Sequence, residues 1–307
     1  MRNLSLDYFK VFLAFCVVCL HGGFFYDINE VIGYLHVNGL FRIAVPLFFI
    51  INGYYFYNIS SINSLKEWFF RVLSLYIVWT IIYLPVMIYD LSVFQIFTYL
   101  FTGYFVLWYL VALLLAGLFL FFLKECSDKL LILISFVLLF FGYLIQSIGN
   151  MSLFNGFIGE VFNFGPLHRN FIFVGFPFVT IGYLIRKNNF DLSYKNSFLL
   201  SLFFLIILFL ESYMNYKFFH KSVDILLSLF LLCPIIFIVV KKIKIVGSSK
   251  NIAHFSTGIF LIHAYVLFFL RYLFNLQNTL LCIFTLIISC IASLVLIQLN
   301  KKLKFLL

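Results

Sequence analysis

Apolar runs of about 17 to 21 residues follow one another along nearly the whole chain, with short polar connections between them. Wound as a helix, such a run matches the hydrocarbon thickness of a bilayer. The runs fall at about 6–25, 38–57, 70–89, 104–123, 130–148, 169–185, 196–214, 223–240, 254–273 and 279–299. They predict an all-α integral membrane protein, a bundle of about ten transmembrane helices with little mass outside the bilayer. Charged residues make up only 10% of the chain. A soluble surface needs roughly a quarter, so lipid is the expected solvent. The 45 Phe and 19 Tyr suit lipid contact and interfacial anchoring.

The net charge of +10 could suggest nucleic acid. The placement of the charges points instead to topology. With ten spans both termini share one side, and most Lys and Arg residues fall there, from Arg2 and Lys10 to Lys301, Lys302 and Lys304. The exceptions are Arg42, Arg169, Lys217, Lys221 and Arg271. Positive residues favour the cytoplasm, so both termini are expected to be cytoplasmic and no nucleic-acid partner is expected. Residues 1–25 look like a signal peptide, but Asp7 and Lys10 interrupt the apolar stretch and no small-x-small site follows. A retained first helix is expected. The six Cys residues lie in or beside apolar runs, which argues against a disulfide framework. Cys16 and Cys19 have no partner pair, so they read as packing residues and no metal site is expected.

Two outer segments exceed a tight connection. Residues 90–103 carry only Asp90, Ser92, Gln95, Thr98 and Thr102 as polar positions. Residues 149–168 are rich in Gly and Asn, which predicts irregular backbone and a candidate groove for a polar ligand.

Charges within the bilayer are costly and mark function. The first span holds Asp7, Lys10 and His21. Eleven residues separate Lys10 from His21, placing both on one stripe about 16 Å apart along the axis. Asp7 lies one turn before Lys10 and can neutralise it. The stripe has two readings: a snorkelling lysine with a structural histidine, or a lysine that holds an anionic donor with a histidine that acts as base. Arg42 opens the second span. Glu160 precedes His168 and Arg169 at the start of the sixth. His263 lies near the middle of the ninth, with Arg271 at its outer end. Pro46, Gly53, Gly175, Pro177 and Gly182 suit kinking and tight helix packing. No Gly-rich phosphate loop, zinc-type spacing or Gly-x-Ser-x-Gly element occurs, so any catalysis must draw on several helices.

The blocks LDYFKVFLAFCVVCLH (6–21), FRIAVPLFFIINGYYFY (41–57), LWYLVALLL (107–115), HRNFIFVGFPFVTIGYLI (168–185) and FSTGIFLIHAYVLF (255–268) together resemble the bacterial membrane acyltransferase family 3. Asn52 stands where the family has Ser. The resemblance implies a single transmembrane acyltransferase domain over 1–307, in the bacterial inner membrane. It implies transfer of an acetyl or other acyl group from cytoplasmic acyl-coenzyme A, a donor substrate rather than a bound cofactor. The acceptor would be a sugar hydroxyl on a surface or polyprenyl-linked glycan. His21 matches the catalytic histidine and Lys10 its basic partner. Arg71 matches half of a paired basic motif whose second position is Ser74 here. Lys10 and Arg71 are therefore expected to meet the donor. Arg42 is expected to assist catalysis, and Glu160, Arg169 and His263 to meet the acceptor. The stand-alone arrangement, with no esterase-like extracellular domain, occurs in many members. Two other readings compete. A glycolipid transporter or flippase could also bury charges, but the sequence shows neither internal repeats nor interrupted helices. An inert assembly subunit would rarely keep so many intramembrane charges.

Overall fold

The computed structural model describes residues 2–307, without the side chains of Arg2, Asn3 and Asp90. The expectations for Arg2 and Asp90 therefore lie outside the described residues. Fourteen α-helices follow in order: α1 Ser5–Gly22, α2 Glu30–Val37, α3 Ala44–Phe56, α4 Ile62–Asp90, α5 Val93–Thr102, α6 Trp108–Leu123, α7 Asp128–Asn150, α8 Gly156–Asn163, α9 Gly165–His168, α10 Phe176–Lys187, α11 Tyr194–Phe219, α12 Leu229–Lys242, α13 Asn251–Phe274 and α14 Asn278–Leu303. The described strands are β1 (Arg2–Asn3) and β2 (Val246–Gly247), which pair antiparallel. This ties the amino-terminal residues to the loop before α13.

Among the described residues, eight helical stretches are long and apolar enough to cross a membrane. Two of them join shorter helices. Glu30–Phe56 combines α2 and α3, and Val93–Leu123 combines α5 and α6. The expected spans at 169–185 and 223–240 are shorter. Their helices α10 and α12 have 12 and 14 residues, about 18 and 21 Å at 1.5 Å per residue. A bilayer core is about 30 Å thick. The expectation of about ten full spans is thus met by eight.

The long connections are more regular than their composition suggests. Ser92 and Gln95 form a capping box, and α5 follows directly. It packs back on α4, where the Tyr76 hydroxyl donates to the Leu100 carbonyl at 2.8 Å. The 149–168 segment folds largely into α8 and α9. Glycine and asparagine there mark the turns between short helices, not a continuous irregular loop.

Small residues set the helix spacing. A Cβ at Gly53 would lie 2.0 Å from the Val179 carbonyl oxygen, and one at Gly182 2.1 Å from that of Ile50. α3 and α10 therefore touch backbone to backbone, as membrane helices do at small residues. Outside this core, large apolar side chains such as Phe94, Phe122 and Tyr272 are exposed, as lipid contact requires. The α13–α14 hairpin packs against α1.

Gly53→Ala and Gly182→Ala should each force these backbones apart, costing on the order of 1–3 kcal/mol. The expected result is earlier thermal unfolding in detergent with reduced membrane expression. Unchanged melting of both variants would show that the close approach is unimportant.

Candidate active site

Helical hydrogen bonding breaks at four places, and they converge around the end of α1. The breaks are residues 38–43, 103–107, 169–175 and 220–228. Gly39 introduces a short 3₁₀ turn, Leu40–Ile43, that carries Arg42. Gly103 and Phe105 adopt positive φ, 86° and 44°, an unusual backbone for phenylalanine. A π-helical turn, Phe171–Gly175, follows Arg169, and the Asn170 side chain accepts from the amides of Ile172 and Phe173. Irregular backbone at membrane depth survives only where protein or a water-filled cavity satisfies it.

Residues 220–228 show how it is satisfied. The Asn38 side-chain oxygen accepts from the Val223 amide at 3.1 Å. Gln146 Oε1 accepts from the amides of Asp224 and Ile225 at 2.7 and 2.9 Å. The Glu211 carboxylate accepts from the amides of Leu227 and Ser228 at 2.8 and 2.9 Å. Three polar side chains, from the end of α2, from α7 and from α11, thus hold a segment that lacks regular structure.

They hold it so that Asp224 meets three basic side chains. Arg42 Nη1 donates to Asp224 Oδ1. Arg169 Nη1 lies 3.3 Å from the same oxygen, and His168 Nε2 3.5 Å from Oδ2. Arg42 also donates to Asn38 Oδ1 at 3.1 Å and Ser222 Oγ at 3.0 Å. The Arg169 guanidinium sits over the Trp108 ring at 5.2 Å. The Nε atoms of both arginines are buried and have no hydrogen-bond partner. With one carboxylate against two guanidinium groups the cluster is net cationic, and it keeps unspent donors. Such a cluster suits a developing oxyanion.

His21 stands between two cavities and lines both. One has a free volume of about 50 Å³, and His21, Arg42, Trp108, Arg169 and Asp224 share its wall with apolar side chains. The other, of about 340 Å³, is edged by Tyr26, Tyr34, Asn38, Tyr216, Arg271 and Asn278. Its size falls in the usual range for small-molecule sites, about 300–1,000 Å³. The His21 ring packs on Phe105 at 4.5 Å and stacks on His263 at 5.7 Å between centroids. Its backbone carbonyl accepts from Arg271 Nη2 at 3.0 Å. One residue on, Gly22 has no room for a Cβ, which would meet Cys282 Sγ at 2.3 Å. The end of α1 is therefore clamped against α13 and α14.

The other expected site residues part company here. Lys10 pairs with buried Asp7 at 3.6 Å and lies 5.7 Å from the Tyr55 ring. Neither cavity reaches Lys10: on the stripe from His21 toward it, Val17 lines the small cavity and Ala14 beyond is fully buried. Arg71 is exposed on α4 and lines neither cavity. Glu160, expected to meet the acceptor, is exposed on α8, and α8 contributes nothing to either cavity. His263, expected to meet it too, is fully buried and lines neither. Its Nδ1 bonds the Phe260 carbonyl at 2.7 Å, so it backs His21 rather than facing a ligand. The absence of interrupted helices, read from sequence, is corrected by the breaks at 38–43 and 103–107. Asp224 carried a usable signal, a lone acid at the head of an apolar run. The six cysteines are free, and Cys282 Sγ donates to the Cys19 carbonyl within the helix contact.

His21 thus stands between a cationic cluster and a larger polar cavity, within a body of membrane-length helices. Residues 3–298 match the acyltransferase domain of acyltransferase family 3, and the chain belongs to that family. It is also similar to a serine/alanine racemase of Enterococcus gallinarum, 28% identical over 87% of this chain. That match covers 41% of the racemase, so the chain spans less than half of that relative's length. No solved structure matches the chain.

Asp224→Ala should leave Arg42 and Arg169 without their counter-charge and destabilise the protein by about 3–5 kcal/mol. Thermal unfolding of the purified variant checks this. Replacing Arg42, Arg169 and Asp224 together by Met should recover much of the loss. Equal melting of Asp224→Ala and the unaltered protein would remove the cluster from any structural role.

Proposed function

We propose that the chain transfers an acyl group from cytoplasmic acyl-coenzyme A to a sugar hydroxyl of a surface or polyprenyl-linked glycan, with both termini in the cytoplasm. The observation that carries this reading is the position of His21 between the small cationic cavity and the larger polar one. An acyl thioester is already activated. The reaction needs a base for the acceptor hydroxyl and donors for the oxyanion. Among the described residues neither ring nitrogen of His21 has a hydrogen-bond partner, so a lone pair is free to accept. His21 takes the hydroxyl proton as the acceptor oxygen bonds to the thioester carbonyl carbon. The unspent donors of Arg42 and Arg169 steady the oxyanion. The carbon–sulfur bond then breaks, and the coenzyme thiolate takes the proton from His21. Tyr26, Tyr34 and Tyr216, with Asn38 and Asn278, offer the aromatic faces and amides that sugars bind.

Lys10 and Arg71 meet the donor phosphates on the cytoplasmic side in this reading. Between Lys10 and His21 the packed stripe of α1 must part from α3 or α13 to admit the pantetheine arm.

A second reading has specific support. Interrupted helices around a polar site are a transporter device, and the related protein is a serine/alanine racemase. The domain would then bind or move a small polar molecule without acyl transfer.

Proteoliposomes supplied with labelled acetyl-coenzyme A and lipid-linked glycan separate the two. Acyl transfer should appear with the unaltered chain and fall by roughly 10²–10⁴-fold in His21→Ala. Full transfer by His21→Ala would falsify the mechanism. Uptake of labelled serine with no consumption of acyl-coenzyme A favours the second reading.

A further inference from the structure

The wall of the larger cavity carries more positive than negative charge. Among its described lining residues Arg271 and Lys221 are cationic, and Glu30 is the one carboxylate. The two cations come from separate elements, α13 and the 220–228 segment. Both are anchored, and both are anchored on neutral groups. Arg271 Nη2 donates to the His21 carbonyl at 3.0 Å. Lys221 Nζ donates to Ser152 Oγ at 2.7 Å and to the Gly149 carbonyl at 3.3 Å. The Lys221 backbone is fixed as well, because its carbonyl accepts from the Tyr34 hydroxyl at 2.8 Å. Neither cation takes part in any ion pair among the described residues, and nor does Glu30. Carbonyl and hydroxyl partners orient a cation without cancelling its charge. A guanidinium has five N–H donors, and the His21 carbonyl takes one of those of Arg271.

We infer that the larger cavity takes an anionic glycan, whose carboxylate or phosphate is bound by Arg271 and Lys221. The inference deepens the acyl-transfer reading above and rests on it for the ligand's role as acceptor. A sugar acid and the diphosphate of a polyprenyl carrier offer the same chemistry, anionic oxygens beside sugar hydroxyls. Hydrogen bonds from a cation to such oxygens are roughly twice as strong as neutral ones. A neutral sugar leaves both charges unmatched. The grip of Arg271 on the His21 carbonyl gives the anion a fixed place relative to the imidazole. An anion on the remaining Arg271 donors is held beside the residue that takes the hydroxyl proton. Lys221 binds from the side of Tyr34, whose ring lies 5.1 Å from that of Tyr216. Charge thus selects the ligand, while the tyrosines offer surface to its sugar rings.

The test measures binding without any acyl donor. The full chain, purified into phosphatidylcholine nanodiscs, is titrated with two matched pairs of ligands. One pair is a disaccharide containing glucuronic acid and its counterpart containing glucose. The other is a disaccharide on polyprenyl diphosphate and the same disaccharide on polyprenol. The anionic member of at least one pair should bind about 10- to 100-fold tighter, and high salt should shrink the preference. The pair that shows it tells a sugar acid from a carrier phosphate. Lys221→Gln should cut the preference about tenfold, and Lys221→Arg should keep it. Equal binding within both pairs, or binding of none of the four ligands, overturns the inference and leaves the acyl-transfer reading intact. So does an unchanged preference in both Lys221→Gln and Arg271→Gln. If the variants fail to accumulate, the two pairs on the unaltered chain decide alone. An anion preference without acyl transfer in the proteoliposomes overturns the acyl-transfer reading, and the ligand's role as acceptor with it.

Discussion

A single carboxylate, Asp224, joins parts of the chain that are far apart in sequence. Arg42 comes from the 3₁₀ turn before α3, His168 and Arg169 from the end of α9, and Asp224 from the segment before α12. In water such pairings contribute little. Between helices in a bilayer, the alternative to pairing is an isolated charge in hydrocarbon. The three segments are therefore bound to meet, and where they meet they enclose the small cavity beside His21.

This arrangement is possible because the backbone around it is not helical. Each break exposes amides and carbonyls that a membrane helix would satisfy internally. Asn38, Gln146, Glu211 and Asn170 take over that task with side-chain oxygens. Asn38 serves twice, bonding the Val223 amide and the Arg42 guanidinium through one oxygen. The polar residues scattered along this apolar chain thus have two duties. Some supply chemistry, and others permit the irregular backbone that positions it.

The apolar runs made most of the helical body legible, because lipid imposes one length and one composition on a spanning helix. His21, Arg42 and Arg169 were legible as costly intramembrane charges, and the structure gathers them. The Lys10–Asp7 pair followed from helical spacing alone. Glu160 and His263 line neither cavity, and sequence alone does not say whether a polar side chain faces a cavity, a neighbouring helix or the outside. Asp224 escaped notice for the converse reason. Its partners lie on distant helices, and only the tertiary approach of four breaks gives it a role. Residues 93–102 were read as connection because the capping box at Ser92 and Gln95 was overlooked.

The clamp on the end of α1 has a further consequence. His21 is aimed from behind: Arg271 grips its carbonyl, Cys282 fills the groove beside Gly22, and His263 lies flat against its ring. All three belong to the last two helices, near the opposite end of the sequence. The α13–α14 hairpin therefore works as an alignment jig for the His21 imidazole. Small changes in its register would turn that ring by fractions of an ångström while the bundle stayed folded. The orientation of the His21 ring is thus set by helices at the far end of the sequence, which also edge the larger cavity through Arg271 and Asn278.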